Sequence, residues 1–242
     1  MTPREFMQNV AMHWVERMTL EELEGRIINA DCMDILRELP DKSVDLVLTD
    51  PPYGIGADKM LAKKSGRKEG KLKAICTFFE DKGWDKQIPQ RAVFDEIFRV
   101  SKNQIIFGGN YFAEYLPNSP CWLVWDKLNG TTDFADAELA YTSFKTPVRI
   151  YQFLWNGMLQ QNMKKKEKRI HPTQKTVDLF GQILRDYSED GALILDPFSG
   201  SGTTALAARL LKRRFICIEK DEEYWRASVE RLEEAKKQGE LF

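Results

Sequence analysis

Short apolar runs alternate along the chain with longer stretches in which apolar residues return every three to four positions. A short aliphatic run bounded by turn residues reads as a buried strand, and the three-to-four spacing as one buried face of a helix. Strands are predicted at 26–30, 44–49, 104–107, 122–125, 138–143, 149–154, 192–195 and 214–218, and helices at 32–39, 90–100, 176–187, 202–211 and 222–237. In the second helix Val93, Phe94, Ile97, Phe98 and Val100 share one face. Thr19 with Glu22 has the form of a capping box, and Pro3 suits the start of an earlier helix. Strands and helices in alternation predict an α/β fold, a doubly wound and mainly parallel sheet. No internal repeat is evident.

With 242 residues, 43% of them hydrophobic, the chain is sized for one domain with its own core, at 26–242, preceded by an arm at 1–25. No apolar run approaches the ~18 residues of a membrane span, and acids stand where a leader peptide would be apolar. The expectation is a cytoplasmic protein without membrane contact. Cys32, Cys76, Cys121 and Cys217 are scattered, with only His13 and His171 beside them, so they are expected to be reduced thiols rather than a metal site or disulfides.

Charge changes this picture. The 36 Lys+Arg and 37 Asp+Glu give a net charge of −1, yet two segments depart from that balance. Residues 57–73 hold Lys59, Lys63, Lys64, Arg67, Lys68, Lys71 and Lys73 against Asp58 and Glu69, a balance of +5. Residues 162–175 hold Lys164, Lys165, Lys166, Lys168, Arg169 and Lys175 against Glu167, again +5, which leaves −11 for the rest. A solvated loop explains one such island; two, each beside a motif, favour a phosphate-contacting surface. Residues 57–80 also read as a long loop, a length that is usually functional or disordered.

The first motif, Thr49-Asp50-Pro51-Pro52-Tyr53-Gly54, follows the strand at 44–49. Two prolines end the ladder, leaving a rigid turn at the carboxyl edge of the sheet, where α/β folds place ligands. Asp50, the Pro51 carbonyl and the Tyr53 ring are the groups needed to handle the exocyclic amine of a flipped base. The amine's lone pair is delocalised, and accepting its protons with Asp50 and Pro51 favours a nucleophilic, pyramidal nitrogen while Tyr53 stacks on the base. A plain Asp-Pro turn with a buried tyrosine is the competing reading.

The second motif runs Asp196-Pro197-Phe198-Ser199-Gly200-Ser201-Gly202-Thr203-Thr204, a Gly-rich turn from a strand into a helix. Glycines let the backbone approach a ligand, and the helix start offers free amides. The next strand ends in Glu219, nineteen residues beyond Gly200, placed for the two hydroxyls of a ribose. No Gly-x-x-x-x-Gly-Lys-Ser/Thr is present, which excludes a P-loop. Ala205 stands where a dinucleotide fold would want a third glycine, which weakens a nicotinamide oxidoreductase without removing it.

Together the two motifs resemble those of the S-adenosylmethionine-dependent amino-group DNA methyltransferases, and Asp-Pro-Pro-Tyr resembles the adenine-N6 branch. The catalytic motif precedes the cofactor motif, as in the permuted β group of that family. The resemblance covers residues 27–231 and implies a Rossmann-like fold in circularly permuted order, with the strands at 192–195, 214–218 and 26–30 forming the cofactor half. It implies S-adenosylmethionine as cofactor, held by Asp31, Lys175, Asp196, Phe198, Gly200, Ser201, Gly202, Thr203, Thr204 and Glu219. Asp50, Pro51, Pro52 and Tyr53 would be catalytic. Asp31 also suits a helix N-cap. His171-Pro172-Thr173-Gln174-Lys175 is similar to the family's segment beside the methionine end of the cofactor, and Phe107-Gly108-Gly109-Asn110-Tyr111 to one whose glycines give room for the flipped base.

The partner implied is double-stranded DNA, contacted by a loop at 57–80 and a short target-recognition insert at about 127–170. Lys63, Lys64, Arg67, Lys68, Lys164, Lys165, Lys166, Lys168 and Arg169 are the candidate contacts. Transfer to adenine N6 as part of restriction-modification DNA methylation is the expected activity; cytosine N4 and a silent DNA-binding relative are the alternatives. No metal is required, and dimers are common in the β group. Pro120-Cys121 resembles the nucleophile of cytosine-C5 methyltransferases, but Cys121 opens an apolar strand and is read as core.

Overall fold

The computed structural model describes residues 19–57, 80, 82–130, 135–156, 159–163, 166–237 and 239. Most of the arm, all but the first residue of the first basic island, Lys164 and Lys165 lie outside the described residues. In chain order the elements are α1 (Leu20–Leu23), β1 (Arg26–Asn29), α2 (Cys32–Leu36), β2 (Val44–Thr49), α3 (Arg91–Val100), β3 (Ser101–Phe107), β4 (Trp122–Asp126), β5 (Ala137–Thr142), β6 (Arg149–Gln152), β7 (Trp155–Asn156), β8 (Leu159–Gln160), α4 (Val177–Tyr187), β9 (Leu193–Asp196), α5 (Thr203–Leu210), β10 (Arg214–Glu219) and α6 (Glu222–Lys237). The capping box forms as expected, with Thr19 and Glu22 exchanging backbone and side-chain hydrogen bonds at the start of α1.

Eight strands make one sheet in the order β1-β10-β9-β2-β3-β5-β4-β6. The run from β1 to β3 is parallel throughout, β5 is antiparallel to both β3 and β4, and β6 lies parallel to β4. From β9 the chain crosses outward through α5 to β10; from β2 it crosses the other way to β3. The adjacent pair β2 and β9, in register at Leu46 with Ile194 and Val47 with Leu195, is therefore the switch point of the sheet. The order agrees with the permuted arrangement expected from the motif order.

Apolar side chains cover both faces, as parallel strands require. Leu46, Leu48, Ile105 and Ile194 pack with Leu179, Phe180 and Ile183 of α4, Ala205 and Leu206 of α5 and Leu232 of α6. Val44, Val47, Ile106 and Leu195 pack with Ile35 and Leu36 of α2 and Val93, Phe94 and Ile97 of α3. Cys121 is fully buried in the first of these clusters, the core position assigned to it, and Cys32 and Cys217 are buried too. No helix among the described residues is long and apolar enough to cross a membrane.

Several boundaries differ from expectation, two of them for clear local reasons. β3 begins at Ser101, earlier than predicted, because buried Ser101 and Gln104 bond to each other and to Ile97 and so tolerate a polar strand start. The stretch 149–154 is broken after Gln152, where pairing with β4 ends at Asp126, and the chain turns into the two-residue pair β7 and β8. The segment 127–170 contains β5 and β6 of the main sheet, at the places where strands are expected at 138–143 and 149–154.

Candidate active site

Both motifs leave the carboxyl ends of the switch-point strands, β2 and β9, and a side chain ties them together. Asp196 Oδ1 accepts from Thr49 Oγ1 at 2.7 Å and from the Phe198 amide at 3.1 Å, while Oδ2 accepts from Thr204 Oγ1 at 2.5 Å. The residue is 3% exposed, and burial raises its carboxyl to about 6 in spite of those three donors. Asp196 lines the cleft in which the resemblance implies a cofactor contact, and its carboxylate also locks the Gly-rich turn to the residue just before Asp50.

In the Gly-rich turn, Gly200 (φ +49°) and Gly202 (φ +73°) are left-handed, and a Cβ on Gly202 would lie 3.1 Å from Ile27 Cδ1 and Ser228 Cβ. Glu219 accepts from the Gly200 and Asp221 amides at 2.8 Å each, and burial raises its carboxyl to about 7. Ser199 Oγ is buried without a hydrogen-bond partner among the described residues. Asp31 caps α2 through the Met33 amide at 3.0 Å and meets Lys220 at 2.7 Å, so its capping role is realised at the rim of the same cleft. Phe198, Ser201, Thr203 and Thr204 line that cleft. Thr203 Oγ1 donates to the Lys175 carbonyl, and Arg231 donates to the Ser201 carbonyl, fixing the turn from two further elements.

On the other side of the cleft, Asp50 is part of a chain of charges. Tyr53 donates its hydroxyl to Asp50 Oδ1 at 2.5 Å, and the Lys175 ammonium reaches Asp50 Oδ2 at 2.5 Å and Glu138 Oε2 at 3.0 Å. Lys127 closes the chain on Glu138 Oε1 at 2.6 Å. Burial raises the Asp50 carboxyl; Lys175 opposes that effect and Glu138 adds to it. Burial would raise Glu138 too, but Lys175 and Lys127 overcome it and hold the group at about 2. Lys175, expected on the cofactor, is 5% exposed, lines the cleft and directs its ammonium at Asp50 and Glu138. Glu138 and Lys127 were not singled out from sequence; a lone acid at the start of the apolar stretch 138–143 was the available signal.

Tyr53 stacks on Tyr111, with centroids 4.9 Å apart and planes 15° apart. Gly108 lies so close that a Cβ would sit 2.1 Å from Tyr53 Cε1, and a Cβ on Gly109 would meet Trp122 and Tyr141 at 2.8 Å. The glycines expected to make room for a base thus make room for the protein's own rings. Asp85, also missed from sequence, is 1% exposed and holds the turn by accepting from the Gly54 and Ala57 amides at 2.8 and 2.7 Å.

The second basic island divides between surface and interior. Lys166 and Lys168 are exposed, Arg169 is half-buried at the cleft with its guanidinium on the Pro172 carbonyl, and Lys175 is buried. Its one acid, Glu167, caps α4 through Thr176 Oγ1 and the Val177 amide at 3.0 Å each and pairs with Arg231 at 2.5 Å. His171 packs between Trp84 and Tyr224, at 5.1 and 4.3 Å between centroids. Burial, with Lys175 and Arg169 adding to it, lowers His171 to about 3, so the ring is neutral and suited to packing rather than proton transfer. Lys82 spans from this side to Asp221 and Glu223 at the start of α6, at 2.8 and 2.6 Å. The cleft so enclosed measures about 2270 Å³, more than twice the upper range of an ordinary small-ligand pocket. No cluster among the described residues could hold a metal ion.

Residues 136–230 match the model of the family described as DNA methylase, N6_N4_Mtase. The chain is 26% identical to the Type II methyltransferase M.HinfI of Haemophilus influenzae, across 90% of this chain and 70% of that one. It is 27% identical to the Type II methyltransferase M2.MboI of Moraxella bovis, across 86% and 87%. Among solved structures, the M1.HpyAVI–SAM complex aligns with a TM-score of 0.51 at 24% identity, covering 86% of this chain and 98% of that one. PvuII DNA methyltransferase, described as cytosine-N4-specific, aligns with a TM-score of 0.55 at 17% identity, covering 84% of each. The structural likenesses speak to the fold.

Proposed function

The chain belongs to the S-adenosylmethionine-dependent amino-methyltransferases, and from that premise we propose that it is a site-specific DNA methyltransferase acting on the exocyclic N6 of a flipped-out adenine. The observation that carries this reading is the meeting of Asp50 and the Gly-rich turn in one cleft, coupled through Thr49 and Asp196. Adenine is preferred to cytosine because the cytosine-N4 branch more often has serine at the position of Asp50.

The residues fit the cofactor. Glu219 suits a ribose diol, Asp31 an adenine amine, and the unsatisfied Ser199 hydroxyl and the glycines of the turn leave polar contact and space beside them. S-adenosylmethionine, when bound, supplies a methyl group carried on a sulfonium. The protein's own task is to hold the target amine. Asp50 and the Pro51 carbonyl accept its two N–H groups, which turns the nitrogen lone pair out of conjugation, and Asp50 takes the proton the nitrogen sheds. Tyr53, braced by Tyr111 and Gly108, positions the base. Pro52 keeps the turn rigid. Lys63, Lys64, Arg67, Lys68, Lys164, Lys165, Lys166, Lys168 and Arg169 of the two islands supply phosphate contacts that bring the duplex to the cleft.

Asp50→Ala is expected to lower methyl transfer by at least ~10²-fold while cofactor affinity stays near wild type. A transfer assay with labelled cofactor, run beside equilibrium binding of the cofactor, checks both. Normal turnover by the variant would remove Asp50 from the mechanism.

A further inference from the structure

Asp50 is not free in this structure. Tyr53 holds Oδ1 and Lys175 holds Oδ2, each at 2.5 Å. A carboxylate oxygen can accept a second donor, but each donor already present makes it a weaker proton acceptor. Moving these two away bears a heavy cost if they are left bare, since a buried ammonium or hydroxyl without a partner loses its full hydration.

Glu138 lies where both donors can go. Its Oε2 is 3.2 Å from the Tyr53 hydroxyl and 3.0 Å from the Lys175 ammonium, so the two groups that occupy Asp50 already share a second acceptor. Its Oε1 is held by Lys127 at 2.6 Å, which fixes the carboxylate from behind. The Tyr53 hydroxyl has one proton and two carboxylates in reach, and Lys175 reaches both carboxylates from a buried position. We propose that Glu138 is a positioning residue for methyl transfer, taking over the Tyr53 hydroxyl and the Lys175 ammonium as the target amine engages Asp50. The inference rests on the reading of Asp50 as the amine's acceptor.

The charges balance through the exchange. Asp50 and Glu138 offset Lys175 and Lys127 before the reaction. As the nitrogen forms its bond to the methyl carbon, the bond between that carbon and the cofactor's sulfonium would break, its electron pair staying on sulfur as a neutral thioether, and the nitrogen sheds one N–H proton to Asp50, so that one positive and one negative charge are lost together. Lys175 then remains paired with Glu138 rather than facing a carboxyl that has lost its charge.

The groups facing Asp50 are Lys175 from the turn before α4, Glu138 from β5, Tyr53 from its own turn and Asp196 from the end of β9. Glu138 is among those that push the Asp50 carboxyl up, so removing its charge should move the acid limb of kcat to lower pH. The test compares steady-state methyl transfer to DNA across pH for wild type, Glu138→Gln and Glu138→Asp. Glu138→Gln should lower kcat by on the order of 10²-fold with its acid limb displaced downward, while cofactor affinity and the KM for DNA change little. Glu138→Asp keeps the charge but shortens the reach, so it should recover part of kcat with the limb at its wild-type position. A wild-type kcat in Glu138→Gln, a slow variant whose limb has not moved, or a Glu138→Asp no better than the amide would each overturn the proposal. Should Glu138→Gln not fold, Glu138→Asp decides alone: a lowered kcat at an unmoved limb is expected, and an undiminished kcat overturns it. Failure of the wild type to methylate DNA would instead overturn the reading of Asp50.

Discussion

At the scale of single residues, Gly108 shows how little latitude the base side of the cleft allows. Its φ of +69° is left-handed, and a Cβ there would lie 2.1 Å from Tyr53 Cε1 and 2.5 Å from Cδ1. Gly108→Ala therefore has to displace the Tyr53 ring or shift the backbone, at roughly 1–3 kcal/mol for overpacking with a further ~1–2 kcal/mol for the left-handed conformation. Thermal unfolding should show that loss, and turnover should fall about as far as in Tyr53→Ala while cofactor binding persists. An alanine variant with wild-type turnover would mean that the position of Tyr53 is not critical. Asp50, Tyr53 and Glu219 were legible in the sequence because each stands at a strand end next to turn residues that punctuate the chain. Glu138, Lys127 and Asp85 were not, because they reach the site from elements whose approach is set by sheet order rather than by local pattern. Lys175 was found, but its ion pairs were not legible for the same reason: its partners lie 125 and 37 positions away along the chain.

At the scale of elements, the switch point between β2 and β9 explains why two motifs nearly 150 residues apart act as one site. Alternation of apolar runs predicted every strand from β1 to β6 and both β9 and β10, most clearly the buried parallel strands β2, β9 and β10, which are nearly continuous apolar runs. The short pair β7 and β8 was not legible, being too brief for any periodicity. The joint between the two central strands is the buried Asp196 carboxyl, and its titration is open to test. Folding raises this group from 3.8 to about 6 through burial, so between those values the folded state holds a proton that the unfolded state has released. Its contribution to stability is present below pH ~4 and is lost as pH rises to ~6, amounting to about 3 kcal/mol at most. Denaturant unfolding of Asp196→Asn beside wild type should show the difference in stability shift towards the variant by that order between pH 4 and 7. A constant difference across that range would show that Asp196 does not titrate in the window. Glu219, raised to about 7, acts in the same sense and His171, lowered to about 3, in the opposite one, so the comparison with wild type is what isolates Asp196.

At the scale of the whole molecule, a net charge of −1 conceals an uneven distribution, and placement modifies it again. Of the second island's basic residues within the described chain, Lys166 and Lys168 face solvent, Arg169 is half-buried at the cleft, and Lys175 is paired with Asp50 and Glu138. A run of positive residues in sequence therefore overstates the charge presented to a partner. The first island carries Lys63, Lys64, Arg67 and Lys68, and replacing all four with alanine should weaken binding to duplex DNA. The slope of log affinity against log salt should flatten by about 0.9 for each phosphate that the protein no longer neutralises. An unchanged slope in a salt titration would remove that island from the DNA interface.

In the proposed function, Asp50 receives an adenine amine of DNA for methylation. The most direct measurement is nucleoside mass spectrometry of unmethylated duplex DNA after exposure to the protein and S-adenosylmethionine, with Asp50→Ala as the blank. The expected product is the N6-methyladenine nucleoside from the wild type, with none above background from the variant. N4-methylcytosine in its place, or no methylated nucleoside at all, would contradict the assignment.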